Sequence, residues 1–198
     1  MQLEEAKVGW IAALPWNQAP AAFRERPVAE LLPCSSAQPG VRAAAEKLLV
    51  HGREYLCVLK YSASFAGEQL HSLSTSLSKT LQALRRYAME LNKPKARWKE
   101  DQIRHKIQRW LSGSQYLEEI IRYQIESQEG RWKLQFDFDP AAWQRLIDHR
   151  LGRTMLLTNR MDWTAEQVAL GYSAQQDIER VFRGLKDGDW LGWGPMYH

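Results

Sequence analysis

Residues 154–186 read TMLLTNRMDWTAEQVALGYSAQQDIERVFRGLK, and the arrangement of the rest of the chain turns on them. Thr154–Thr158 (TMLLT) is a short apolar run that reads as a buried strand. Thr164 followed three residues on by Gln167 fits a capping box, in which each side chain satisfies an otherwise unpaired backbone N–H at the start of a helix. The helix so opened runs to about Lys186, with a kink expected near Gly171–Ser173. At about 100° per residue, Tyr172, Gln175, Glu179 and Lys186 fall at roughly 0°, 300°, 340° and 320°, within a sector of about 60°. Ile178, Val181 and Leu185 fall on a different, apolar side and are expected to be covered. One face then packs while another carries a phenol, an amide, a carboxylate and an ammonium. A solvated helix face on which Glu179 and Arg183 form an i,i+4 pair accounts for the same residues without chemistry.

Outward from that stretch, Val8–Leu14 is a second apolar run, ending at Pro15, and reads as another buried strand. Five of the eight prolines lie between Pro15 and Pro39, which marks an irregular surface connector. Glu54–Ser62 (EYLCVLKYS) is a strand candidate. Phe65–Leu91 reads as a long helix, because Leu70, Leu73, Leu77, Leu81, Leu84, Ala88 and Leu91 recur every three or four residues. Asn92 and Pro94 stop it. A second helix over Trp98–Leu111, with Ile103, Ile107 and Trp110 on one side, completes an antiparallel hairpin. The leucine stripe is short for a coiled coil and reads as packing within the chain. Glu119–Glu126 and Arg131–Phe138 flank Ser127–Gly130 as a β-hairpin. Asp139 and Pro140 then suit an N-cap and first helical position, and the helix Ala141–Leu151 ends at Gly152 as a C′ residue. Strand alternation for Asp137 and capping for Asp139 explain the F-D-F-D run without a metal.

The chain has 198 residues, enough for one large domain or two small ones. With 44% apolar and 25% charged residues it has ordinary globular composition, which argues against a disordered tail. Its two cysteines, Cys34 and Cys57, cannot build a disulfide framework or a four-ligand zinc site, so a reducing cytosol is expected. No apolar run is long enough for a membrane span, and MQLEEAKVGW lacks the order of a secretion signal. The five histidines are scattered, and there is no H-E-x-x-H, P-loop, G-x-G-x-x-G or G-x-S-x-G. Net charge is +4, but Lys79–Arg109 holds ten basic residues against three acidic ones. That stripe, with Arg85, Arg86, Lys93 and Lys95 as its candidate DNA-binding residues, suits phosphate contacts; a solvated helix face is the other reading.

The spacing Tyr172-x-x-Gln175-x-x-x-Glu179-x-x-x-x-x-x-Lys186 resembles the Y-R-E-K signature of DDE transposases of bacterial insertion sequences, the IS-four-like group. LLTNRMDWTAEQVALGY is similar to the strand, loop and capped helix that lead to this family's catalytic glutamate, and LKDGDWLGWGPMYH to the segment C-terminal to it. VGWIAALP resembles the strand after the family's second catalytic aspartate, so the likeness spans almost the whole chain. It implies an α/β fold class: a partial ribonuclease H-like fold interrupted by an α+β insertion made of a long helical hairpin plus a β-hairpin. Residues 1–15 would be a ribonuclease H-like strand, 16–150 the insertion, and 151–198 the ribonuclease H-like portion with the catalytic-glutamate helix, so that the strands Val8–Leu14 and Thr154–Thr158 would lie side by side in one catalytic sheet.

The resemblance implies a metal-dependent phosphodiester cleavage and strand transfer at transposon ends. Glu179 would be both the catalytic carboxylate and the metal ligand, for Mg2+ or Mn2+. Tyr172 and Lys186 would hold DNA phosphates, with Arg183 a further DNA contact on the same helix. Gln175 stands where the broad signature has arginine, so that phosphate contact is not carried over. The implied partner is DNA, transposon ends and target, with a homodimer in the synaptic complex, no membrane, and a cytoplasmic, nucleoid-associated location. In the family both catalytic aspartates precede the VGWIAALP strand, and here no Asp precedes Asp101. The chain therefore looks like the C-terminal portion of a transposase, inactive alone. A non-catalytic DNA-binding remnant acting through the basic stripe is the alternative, and a structural or regulatory helical protein a third.

Overall fold

The structure, a computed structural model, describes residues 8–36, 38–50, 52–93, 98–128 and 131–186, with the backbone only of residues 128 and 180–186. In chain order the elements are β1 (Ile11–Ala13), α1 (Ala21–Arg24), β2 (Leu32–Pro33), β3 (Val41–Val50), β4 (Arg53–Ser62), α2 (Ala63–Leu91), α3 (Glu100–Leu111), α4 (Leu117–Ile120), β5 (Ile121–Gln128), β6 (Arg131–Phe138), α5 (Pro140–His149), β7 (Arg153–Thr158) and α6 (Ala165–Lys186). The class is mixed α/β. The chain forms two compact units: a sheet unit from the described residues up to Ala63 and from Arg153 onward, and a helical unit, Ser64–Gly152, inserted between β4 and β7. The inserted unit thus begins about fifty residues later than the sequence boundary at residue 16, because β3 and β4 belong to the same sheet as β1 and β7.

The sheet runs β1-β7-β4-β3-β2, and every neighbouring pair is antiparallel. β1 meets β7 at Ile11↔Thr158, Ala12↔Leu157 and Ala13↔Leu156, so the two short runs picked out in the sequence do lie side by side. Central β4 shows why its sequence is apolar almost throughout. Leu56 and Val58 point with Leu156 toward Val168 and Ala169 of α6, while Cys57 and Leu59 join Met155, Leu157, Phe23 and Leu31 on the opposite face. A strand covered on both faces loses the simple in–out alternation. Cys57 is fully buried, and burial, with Glu46 nearby, pushes its thiol up to about 12.

Three local expectations change. β1 is only three residues long and largely exposed, an edge strand rather than a buried one. β3, VRAAAEKLLV, where no strand was expected, pairs with β4 over its whole length, from Val41↔Ser62 to Val50↔Arg53. The proline-rich connector is not merely superficial: its short helical turns bury Phe23 and Leu31 against the sheet.

In the helical unit, α2 carries the expected stripe. Leu73, Leu84 and Leu91 are buried, and Leu77, Leu81 and Ala88 pack beside them. Ile103, Ile107 and Leu111 of α3 complete that core with Leu117, Ile120, Ile121, Leu134 and Leu146. β5 and β6 pair in register from Ile121↔Phe138 to Gln128↔Arg131; Glu119, expected in the strand, lies in α4 instead. The Asp139 carboxylate accepts from Ala142 N–H at 2.9 Å and caps α5, with Pro140 first in the helix. That hydrogen bond, with the Arg122 guanidinium beside it, holds its carboxyl below the usual carboxylate range. Asp137 is exposed, its carboxylate taking up the N–H of Phe138. α5 ends at His149, and Gly152 lies beyond its C-cap rather than directly after the helix. Gly152 adopts φ +74°, which a side chain disfavours, and donates its N–H to Gln69 Oε1 at 2.7 Å.

Candidate functional site

The β7-to-α6 connection is held by polar contacts that reach across the sheet unit. Thr158 Oγ1 donates to the carbonyl of Trp10 at 2.6 Å. The Asn159 side chain accepts from Trp10 N–H at 3.1 Å and donates to the Val8 carbonyl at 3.0 Å. The loop and the lead-in to β1 are therefore fixed to one another across about 150 residues. Arg160 then clamps Asp162 in a two-pronged pair at 2.9 and 2.7 Å and lies over the Trp163 ring. The hydrogen bonds from Arg160 hold the Asp162 carboxyl at about 2. The expected capping box comes next: Gln167 N–H donates to Thr164 Oγ1 at 3.2 Å, and Thr164 N–H to Gln167 Oε1 at 2.9 Å.

α6 is one continuous helix from Ala165 to Lys186. Gly171 marks a close approach, since a Cβ there would meet Ile11 Cδ1 at 3.0 Å. Val168 and Ala169 are fully buried on the sheet. From Ala174 through Glu179 every residue is exposed. Ile178, expected to be covered, is 57% exposed, because the helix by then has moved off the apolar face that holds its first two turns.

Glu179 stands on this exposed stretch and accepts from Gln175 Nε2 at 3.2 Å, which places the amide and the carboxylate on one face as their spacing requires. Tyr172 behaves differently. It is half-buried against the cluster that includes Ile11, Met161 and Trp163, and the Lys60 ammonium lies 5.7 Å from its ring centre. The side chains of Arg183 and Lys186, and those of Val181 and Leu185, lie outside the described residues.

Lys60 is the group that sequence reasoning missed. It sits mid-strand in β4 and is only 7% exposed. Its Nζ donates to Ser173 Oγ at 2.6 Å, and Ser173 Oγ in turn donates to the Ala169 carbonyl at 3.0 Å. Burial lowers the Lys60 pKa, while Cys34 and Asp177 act in the opposite direction. Burial, with Glu166 nearby, raises the Cys34 thiol. A lysine inside an otherwise apolar strand was the available signal, because such a charge must find acceptors when buried.

The second group of candidates is in the helical unit. Lys79, Arg85, Arg86, Lys93, Lys99, Arg104 and Arg109 are all exposed, whereas Lys95 lies outside the described residues. Arg104 is paired with Glu100 one turn away. Lys106 is drawn inward: its Nζ is 4.0 Å from the Tyr87 ring centre, 5.4 Å from that of Trp110 and 5.7 Å from that of Trp98.

A divalent hard cation takes several oxygen ligands. Among the described residues no three His, Cys, Asp or Glu side chains gather into a metal-binding group. Glu179 is hydrogen-bonded by an amide, that of Gln175. This chain's described residues do not by themselves fit a two-metal site. Among them, too, no helix is long and apolar enough to cross a membrane. Comparison with family models, with curated proteins and with solved structures returns no match.

Proposed function

We propose that the chain is the glutamate-bearing portion of a DDE-type DNA transposase with a ribonuclease H-like catalytic sheet, acting at the ends of an insertion sequence. The observation that carries the reading is a juxtaposition. β1 pairs with β7, which leads through a polar-locked loop and a capping box into α6, and α6 presents Glu179 to solvent beyond the sheet. A carboxylate mounted on a rigid helix is suited to a reaction at phosphodiesters, where the protein must place its donors before the substrate arrives. The part assigned to this chain is one carboxylate. Magnesium- or manganese-dependent cleavage needs the two aspartates that the resembling family carries ahead of the first strand.

The test is to join the chain to an upstream segment that supplies two strand-borne aspartates and to measure cleavage and strand transfer with Mg2+ or Mn2+. Glu179→Gln abolishes both in the joined protein, and the 198-residue chain alone nicks nothing. Cleavage by the chain alone that is lost in Glu179→Gln means that the ligands are misassigned; a joined protein indifferent to Glu179→Gln removes the reading. A second reading, a DNA-binding module without catalysis, draws on the exposed cations of α2 and α3. It is favoured if the chain binds duplex DNA and the joined protein never cleaves it.

A further inference from the structure

We propose that Lys60 is a positioning residue for Glu179, clamping α6 at Ser173, the point where the helix leaves the sheet, and so fixing the direction in which the carboxylate faces. This rests on the reading of Glu179 as the catalytic carboxylate. The two halves of α6 are the reason. Up to Ser173 the helix is packed, with Val168 and Ala169 fully buried and Tyr172 in the apolar cluster. From Ala174 to Glu179 it is exposed. The Lys60–Ser173 hydrogen bond, at 2.6 Å between residues 113 apart in sequence, ties the sheet to the helix at the boundary between these halves. Glu179 lies six residues further on, about 9 Å along the axis and about 120° around it from Ser173. A helix held only by apolar contacts can roll about its axis at small cost. A short directional bond from a largely buried ammonium resists rolling, because breaking it costs that charge an acceptor.

The groups that face Lys60 are consistent with a clamp. Ser173 Oγ accepts its hydrogen bond, the Tyr172 ring centre lies 5.7 Å away, and Asp177, one turn beyond Ser173, favours its charged form. Ser173 is itself held by the Ala169 carbonyl, so the clamp grips the helix backbone and not only a mobile hydroxyl.

Backbone hydrogen exchange on the 198-residue chain tests this directly, comparing Lys60→Met, Lys60→Arg and Ser173→Ala with the parent. In Lys60→Met and Ser173→Ala, protection of the amides of residues 173–179 falls by about ten-fold while that of β4 and β7 is retained; Lys60→Arg restores it. Unchanged exchange in residues 173–179 overturns the clamp. So does a loss spread equally over β4, β7 and α6, which is the mark of an ordinary core defect. In the joined, cleaving protein, Lys60→Met lowers kcat and leaves the KM for DNA unaltered; an unchanged kcat there, with Glu179→Gln inactive, overturns the positioning role. If Glu179→Gln is harmless, the transposase reading falls and with it any role in orienting a catalytic carboxylate, while the exchange result still reports on the clamp.

Discussion

The candidate residues of the sheet unit and those of the helical unit are placed by different means. In the sheet unit, four hydrogen bonds around the β7–α6 connection join residues 113 to 151 apart, beside the local Arg160–Asp162 and Thr164–Gln167 contacts: Lys60 to Ser173, Trp10 to Asn159, Thr158 to Trp10, Asn159 to Val8. In the helical unit, the side-chain pairs of α3 are near neighbours, Arg104 with Glu100 and Gln108 with Glu118, and the cations are mostly exposed. Even the two inward lysines differ. Lys60 is nearly buried and spends a directional hydrogen bond on another element, whereas Lys106 sits among the rings of its own hairpin. Long-range ties suit a group that must hold one orientation. A display of solvated cations suits a diffuse polyanion, where register matters less than charge density.

The largest expected effect tests where the packing in the sheet unit stops. Leu156 is fully buried between β4 and α6, and Leu156→Ala costs about 2–5 kcal/mol in urea unfolding. Ile178 is only five residues beyond Ser173 but exposed, and Ile178→Ala changes stability by less than about 0.5 kcal/mol. Equal costs at the two positions would mean that α6 is packed along its whole length and would remove the contrast between its halves.

A smaller effect sharpens the description of the helical unit. If the stripe is a DNA surface, the expected outcome is that the 198-residue chain binds duplex DNA with little sequence preference, its log affinity falling with log salt at a slope of about −4 to −5, as for four to six neutralised phosphates. Neutralising Arg85, Arg86, Lys93 and Lys95 together flattens that slope. Lys106→Met changes it by less than about one unit, because its ammonium is held over the Tyr87 ring and is not offered to phosphate. A flat slope in the parent removes the stripe as a DNA surface; a loss in Lys106→Met as large as in the fourfold variant removes the distinction between inward and outward cations.

Legibility in the sequence divides along the same line. α2, α3, the β5–β6 hairpin and the Asp139 cap are written in local signals, namely leucine spacing, alternation and an Asp-Pro pair, and their boundaries stand within a few residues. The adjacency of β1 and β7 was accessible only through the resemblance, since nothing local links residues 147 positions apart, as Ile11 and Thr158 are. β3 escaped because three consecutive alanines and a Glu-Lys pair dilute its strand character; pairing with β4 overrides propensity. Phe23 and Leu31 escaped because prolines mark irregular backbone but say nothing of what that backbone covers. At the candidate site, the common face of Gln175 and Glu179 was legible from helical period, and the Thr164–Gln167 box from its motif. The Lys60 clamp was not, because its two halves belong to elements with no shared pattern.

The smallest effect concerns the loop that feeds α6. Asp162 is exposed, yet two hydrogen bonds from Arg160 hold its carboxyl at about 2, while Arg160 itself is braced over Trp163. A carboxyl whose pKa is lower in the folded than in the unfolded chain stabilises the fold above the ordinary carboxylate range, and that contribution fades as pH falls from about 4 toward the folded value. Carbon-detected titration of the Asp162 side chain therefore shows a midpoint near the value the clamp sets in the parent and one in the ordinary carboxylate range in Arg160→Met. The stability curves of the two proteins separate above about pH 4 and converge in strong acid. The separation is slight, because an exposed ion pair is screened by solvent and by salt. An unshifted midpoint in Arg160→Met would mean that the loop lowers the carboxyl through its backbone alone, and that the polar lock ahead of α6 ends at Asn159.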